Sequence, residues 1–167
     1  MEFIDLAEQQ KKIREKIITR INNVLDHGQY IMGPEIFEFE KKMADYIHIK
    51  HAITCSSGTE ALIMALMALD IGPGDMVITQ PFTFVAAVEA ILIVGAIPVF
   101  VDIEETTFNI DIQKLQYLIT SKEFSDCKAI IPVDLFGHPA PYQEIIHLAK
   151  EHHLHVIEDA AQAIGGK

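Results

Sequence analysis

Apolar positions along this chain fall first at helical spacing and then alternate between short β-like runs and amphipathic stretches. Between residues 10 and 26, Ile13, Ile17, Ile18, Ile21, Val24 and Leu25 form a helical stripe that His27-Gly28 closes. Gly33-Pro34 breaks the chain, and Glu35 to Tyr46 predicts a second helix with Ile36, Phe39 and Met43 on one side. From there the pattern becomes regular. Residues 52–55 (AITC) read as a short buried strand, Thr59 to Leu69 as a helix ended by Gly72-Pro73-Gly74-Asp75, and Met76 to Thr79 as a strand. Thr83 to Val94 reads as a helix stopped by Gly95, and Ile97 to Val101 as a strand ending in Asp102. Asp111 caps a helix from Ile112 to Ile119. Ala129 to Val133 is a strand, Pro139 to Glu151 a helix and His155 to Glu158 a strand.

Five strands separated by helices predict an α/β domain, a mostly parallel sheet with helices on both faces joined by right-handed crossovers. The expected organisation is an N-terminal helical segment over 1–50 and an α/β domain over 51–167. No repeat, low-complexity tract or linker interrupts the chain.

Composition narrows the function classes. Half of the 167 residues are hydrophobic, enough for a sizeable core. Acidic residues number 24 against 13 basic, a formal net charge of −11, and such a surface repels nucleic-acid backbones. Cys55 and Cys127 lack paired spacing, so neither a disulfide framework nor a zinc site is expected, only two buried or half-buried thiols. His152, His153 and His155 cluster without a cysteine or acidic partner at ligand spacing, so no metal site is assigned. The charged N-terminus lacks the apolar core of a signal peptide. The longest apolar stretch, Phe82 to Val101, is interrupted by Glu89, Gly95 and Pro98 and is unsuited to spanning a bilayer. A cytoplasmic location follows as an expectation.

Candidate chemistry lies after the strands, because open α/β sheets bind ligands at the strands' carboxyl ends. Ser56-Ser57-Gly58-Thr59-Glu60 opens directly into a helix, where free N–H groups and the helix dipole favour an anion. Simple helix capping by Ser57 or Thr59 is the plainer alternative. The Walker GxxxxGK spacing and the dinucleotide GxGxxG fingerprint are both absent, which argues against a nicotinamide-binding domain. In Glu158-Asp159-Ala160-Ala161-Gln162 the last strand ends in two acids followed by small residues. A carboxylate there can hold a proton on a ring nitrogen, and the alanines admit a flat ligand; metal binding or capping are the alternatives. Phe82-Thr83-Phe84 follows the second expected strand and offers an aromatic ring for stacking, although phenylalanine at such spacing also serves a core.

These stretches occur together and in order, and with FIDLAEQQ, HGQYIMGPEIFEFE, SSGTEALIMAL, GPGDMVITQPFTFVAAVEAI, GAIPVFVDIEETTFNID, AIIPVDLFG and VIEDAAQAIGGK the chain resembles the DegT/StrS family of sugar aminotransferases over essentially its whole length. The resemblance implies the large domain of a fold-type-I pyridoxal-phosphate enzyme, usually a cytoplasmic homodimer that moves an amino group from glutamate to a nucleotide-linked keto-sugar. It places Gly58, Thr59 and Glu60 at the cofactor phosphate and Phe84 over the pyridine ring. It places Asp159 on the pyridine nitrogen and Gln162 near the phenolic oxygen. The FIDL and HGQYIMGPE segments look most like members acting on UDP-linked 3-keto sugars, with surface-polysaccharide synthesis the usual setting.

The family's Schiff-base lysine lies in a later motif than EDAAQ, and Lys167 matches no catalytic position. The resemblance therefore implies an N-terminal part of the enzyme, truncated before the end of the large domain and the small domain, without aminotransferase activity alone. Two further readings stay open. Some family members replace the lysine by histidine and dehydrate their sugar, and a non-catalytic dimerisation or interaction module is the alternative from another class.

Overall fold

A computed structural model describes residues 5–124 and 126–166; Phe3 and Ile4 of the FIDL segment and Lys167 lie outside them. The chain forms two compact units, Met1–Thr54 and Cys55–Lys167.

The first unit is a helical hairpin. Helix α1 spans Leu6–His27 and α2 spans Pro34–Tyr46. The side chain of Asp5 accepts the Glu8 N–H at 2.8 Å and caps the start of α1. Gly28, at φ 68°, ends α1 in the left-handed conformation that glycine adopts without penalty, its N–H bonded to Val24 O. Pro34 begins α2, where its missing N–H costs nothing. Arg20 grips Glu38 through two hydrogen bonds of 2.7 and 2.9 Å, Lys42 reaches the same carboxylate, and His27 meets Glu35 at 3.2 Å. The expected stripe on α1 is helical, yet Ile13, Ile17, Ile18, Ile21 and Leu25 are all exposed.

The expected strand at residues 52–55 does not form. Ile53 is 79% exposed, and the Thr54 N–H and hydroxyl both go to Glu40 Oε1, at 2.9 and 2.8 Å. A strand exists only where a neighbour supplies a ladder, and among the described residues none pairs with this segment. Cys55, expected at least half-buried, is exposed.

The second unit carries the sheet. Its elements are α3 (Gly58–Ala68), β1 (Met76–Thr79), α4 (Ala86–Ile93), β2 (Ile97–Phe100), α5 (Ile112–Thr120), β3 (Cys127–Ile131), α6 (Tyr142–Glu151) and β4 (His155–Val156). The strand order is β2-β1-β3-β4, every pair parallel. The α/β class and the parallel sheet thus agree with expectation, with four of the five strands present. Helix α4 begins at Ala86 rather than Thr83, because Pro81 and Phe82 turn the chain and the Thr83 N–H bonds Pro81 O.

Alternation along the buried strands fills two cores. Val77, Ala129, Ile131 and Val133 pack with Leu62 and Leu66 of α3 and Ala87, Ala90 and Ile91 of α4. Ile78, Val99 and Ile130 pack with Leu115 and Ile119 of α5 and Ile145 and Leu148 of α6. Both faces are covered, which is why the strands read as continuous apolar runs. From β1 the chain crosses to β2 over the α3/α4 face, then returns past β1 to β3 over the α5/α6 face. Direction and face change together, so the crossovers keep one hand. They also leave a topological switch point between the carboxyl ends of β1 and β3.

Candidate functional site at the carboxyl edge of the sheet

Helix α3 leads through a short turn into β1, so it runs antiparallel to the strand and its N-terminus lies at the sheet's carboxyl edge. Ser57, in extended conformation, caps it: its hydroxyl accepts the Glu60 N–H at 3.2 Å. The Glu60 amide is therefore already engaged, while the N–H groups of Gly58 and Thr59 find no acceptor among the described residues. A Cβ built on Gly58 meets nothing within 4 Å, so the space ahead of the helix is open. Two free amides and the positive end of a helix dipole face that space.

Asp159 follows β4. Val133 pairs with it as an isolated parallel bridge, its N–H donates to Pro132 O at 3.0 Å, and its carbonyl accepts the Asp134 N–H at 3.1 Å. Ile157, two residues earlier, packs in the α3/α4 core, and strand alternation puts Asp159 on that same face. The structure thus brings the start of α3 and Asp159 to one face and one edge of the sheet. Burial pushes the Asp159 carboxyl above its ordinary range; an N–H from Ala161 opposes this, and the Asp134 charge adds to it. Among the described residues no cation pairs with Asp159. A half-buried acid without a cation suits a ligand that brings a protonated nitrogen.

Gln162 lies in the turns after Asp159. Its Oε1 accepts the Phe136 N–H at 2.7 Å, and its amide NH₂ has no acceptor among the described residues. Phe84 is 70% exposed and, among the described residues, belongs to no ring contact. The rings that do meet are Phe82, Phe108 and Phe136, with centroids 5.7 Å apart for the first pair and 5.9 Å for the second. They come from the segments after β1, β2 and β3, and Phe136 leads on to Gln162, so the four strand exits are tied together.

Sequence reasoning named the segment that holds Phe82 but missed Phe108, Phe136 and the polar groups beneath them. Phe108 and Phe136 sit at φ 61° and 59°, which no spacing rule announces. Asp134, 1% exposed, accepts the Ala140 N–H and the Tyr142 hydroxyl, each at 2.9 Å, and both Tyr142 and Glu158 are raised by burial and by that carboxylate. Asp134 and Glu158 lie on the α5/α6 side by strand alternation, away from Asp159. Glu104 accepts from Thr106 and Thr107 and is held at about 2, a self-contained turn. A hollow of about 500 Å³ lined by Glu104, Asn109, His138 and Pro139 includes none of the six expected residues.

Residues 11–167 match the DegT/DnrJ/EryC1/StrS aminotransferase family. The chain is 48% identical over 165 residues to the UDP-2-acetamido-2-deoxy-3-oxo-D-glucuronate aminotransferase of Pseudomonas aeruginosa, covering 99% of this chain and 45% of that relative. It superposes on a DegT DnrJ EryC1 StrS aminotransferase from Brucella abortus with a TM-score of 0.95 at 45% identity, covering 99% of this chain and 45% of the other. A third similar structure is the PLP-form of the putative sugar aminotransferase Spr1654 from Streptococcus pneumoniae, with a TM-score of 0.81 at 31% identity over 89% of this chain and 41% of that one. The chain spans less than half the length of these relatives. With a match over nearly all its residues and a superposition along nearly its whole length, this chain belongs to the DegT/DnrJ/EryC1/StrS aminotransferase family.

Proposed function

We propose that this chain supplies the phosphate-facing and ring-nitrogen-facing side of the site in an aminotransferase that moves an amino group from glutamate to a nucleotide-linked keto-sugar, of the UDP-3-keto kind. The cofactor of the family is pyridoxal 5′-phosphate, which when bound draws electrons from the carbon that loses its proton. The observation that carries the reading is Asp159, half-buried without a cation, on the face and edge where α3 presents two free amides. In this reading the Gly58 and Thr59 N–H groups, with the Thr59 hydroxyl, bind the phosphate. Glu60 closes the helix start from behind Ser57. The Asp159 carboxylate holds a proton on the ring nitrogen, Gln162 donates its amide to the phenolic oxygen, and Phe84 covers the ring from its exposed position after β1.

The similarity to the 3-oxo-glucuronate enzyme supports the choice of sugar. The segments 1–50 and 51–167 serve as helical arm and partial cofactor domain of a cytoplasmic homodimer. The exposed apolar stripe of α1 favours a second role in self-association. No lysine of the chain matches the Schiff-base position, so bound cofactor is held without a covalent bond and the chain alone does not transaminate.

Titrating the chain with pyridoxal phosphate and following its absorbance tests this. Asp159→Asn is expected to weaken binding about tenfold or more, the order of one charge-assisted hydrogen bond. Borohydride is expected to fix no cofactor to the chain. Unchanged affinity in the Asn variant, or a reduced covalent adduct, overturns the assignment.

A further inference from the structure

The β1–β3 ladder ends at Thr79↔Ile131, and continuing its register would set Pro81 opposite Val133. The chain leaves the sheet there instead, turning at Pro81 and Phe82. Pro132 and Asp134 spend their carbonyl and N–H on Asp159. In a parallel ladder alternate residues face opposite neighbours, so the N–H and C=O of Val133 point away from β4 and toward β1; the carbonyl accepts the Leu135 N–H at 2.9 Å, while no backbone carbonyl among the described residues meets the N–H. Val133 is 5% exposed, and polar backbone groups at such depth require partners.

Gln80 supplies the acceptor for the N–H and a second donor to the carbonyl. Fully buried, it accepts the Val133 N–H on Oε1 at 3.3 Å and donates from Nε2 to Val133 O at 3.4 Å. The same Nε2 donates to Phe108 O at 3.3 Å. A continuous row of hydrogen bonds therefore runs from the Phe108 carbonyl through the Gln80 amide and the Val133 bridge to the backbone of Asp159. It crosses the switch point between β1 and β3, the place where this sheet would otherwise part.

We propose that Gln80 is a positioning residue for Asp159, its side-chain amide acting as one added rung that carries the β1–β3 pairing out to the level of that carboxylate and ties it to the aromatic trio. Without the rung, residues 132–134 lose their lateral partner on the β1 side, and Asp159 is free to shift relative to the amides at the start of α3. The relevance to catalysis rests on the reading of Asp159 given above; the test reads the carboxylate without cofactor.

Two variants of the 167-residue chain separate an amide rung from space-filling. Gln80→Met keeps the length without the amide, and Gln80→Asn keeps the amide without the reach. Carbon-detected NMR titration of the Asp159 carboxyl and hydrogen exchange of the Val133 N–H are measured in each. The titratable neighbours Asp134, Glu158 and Tyr142 are left intact. In both variants the Asp159 midpoint is expected to fall toward the ordinary carboxylate range as water reaches it, and Val133 to exchange about tenfold faster or more, while Val77 and Ile78 are unchanged. Wild-type values for both readouts in Gln80→Met overturn the proposal. If neither variant folds, the wild-type chain decides. Protection of Val133 close to that of Ile131 supports the rung, and exchange as fast as an open loop amide overturns it. Normal cofactor affinity in Asp159→Asn alongside an intact Gln80 effect would instead count against the cofactor reading alone.

Discussion

Asp134 and Asp159 show how differently two acids two dozen residues apart are used. Asp134 is buried and spends one oxygen on the Ala140 N–H and the Tyr142 hydroxyl, fixing the segment that enters α6. Asp159 receives a single local N–H and, among the described residues, no cation. The first is structural and the second is available. Tyr142→Phe removes a hydrogen bond to a buried carboxylate, and thermal unfolding should show a loss of about 1–3 kcal/mol with little change in cofactor binding. A loss of cofactor affinity equal to that of Asp159→Asn would place Tyr142 in the site instead. Asp159 was legible from its position after an apolar run. Asp134 and Gln80 were not, because their partners lie on segments distant in sequence, Gln80 bonding Val133 and Phe108.

Among the elements, α3 shows the dual use of a helix start. Ser57 satisfies one amide and leaves two. Ser57→Ala is expected to cost about 1 kcal/mol through the lost cap, read by denaturant unfolding. The same change should leave the Gly58 and Thr59 amides free, so phosphate-dependent stabilisation should persist; its disappearance would mean that the hydroxyl, and not the helix end, holds the anion. The strands β1 to β4 were legible because their cores, such as residues 76–78 in β1 and 129–131 in β3, are apolar and lie near turn residues. Residues 52–55 carry the same composition and stayed unpaired, since strand composition does not supply a neighbour.

Over the whole molecule, acidity shapes both stability and association. Glu104 and Glu38 are held at about 2 by the donors around them, so their contribution is present above the ordinary carboxylate range and is lost as pH falls from about 4.5 toward 2. Asp159 and Glu158 are raised, so their contribution runs the other way: it is full at low pH and is lost as pH rises through their folded values. Stability should therefore peak in mildly acidic solution and fall toward pH 2. Glu104→Gln should flatten the acid side of a melting-temperature profile, and Asp159→Asn its neutral side; profiles parallel to wild type would show these groups to be uncoupled from folding. The apolar stripe on α1 bears on association. Light scattering should show concentration-dependent self-association that Ile17→Glu with Ile21→Glu abolishes, and a strictly monomeric wild-type chain would remove the support that stripe lends to a dimer.

By itself the sequence determined most of the segments that become helices and strands, four of the five expected strands and the parallel character of the sheet, because periodicity, glycine and proline punctuation and caps are local. The tertiary structure alone decided that residues 52–55 lack a strand neighbour and that α1 keeps its apolar stripe exposed. It also decided that Phe108 and Phe136, rather than Phe84, make the ring contacts, and that Gln80 reaches Val133. Each of these depends on which distant segment arrives to meet a donor, an acceptor or an apolar face, and a chain read one residue at a time carries no record of that arrival.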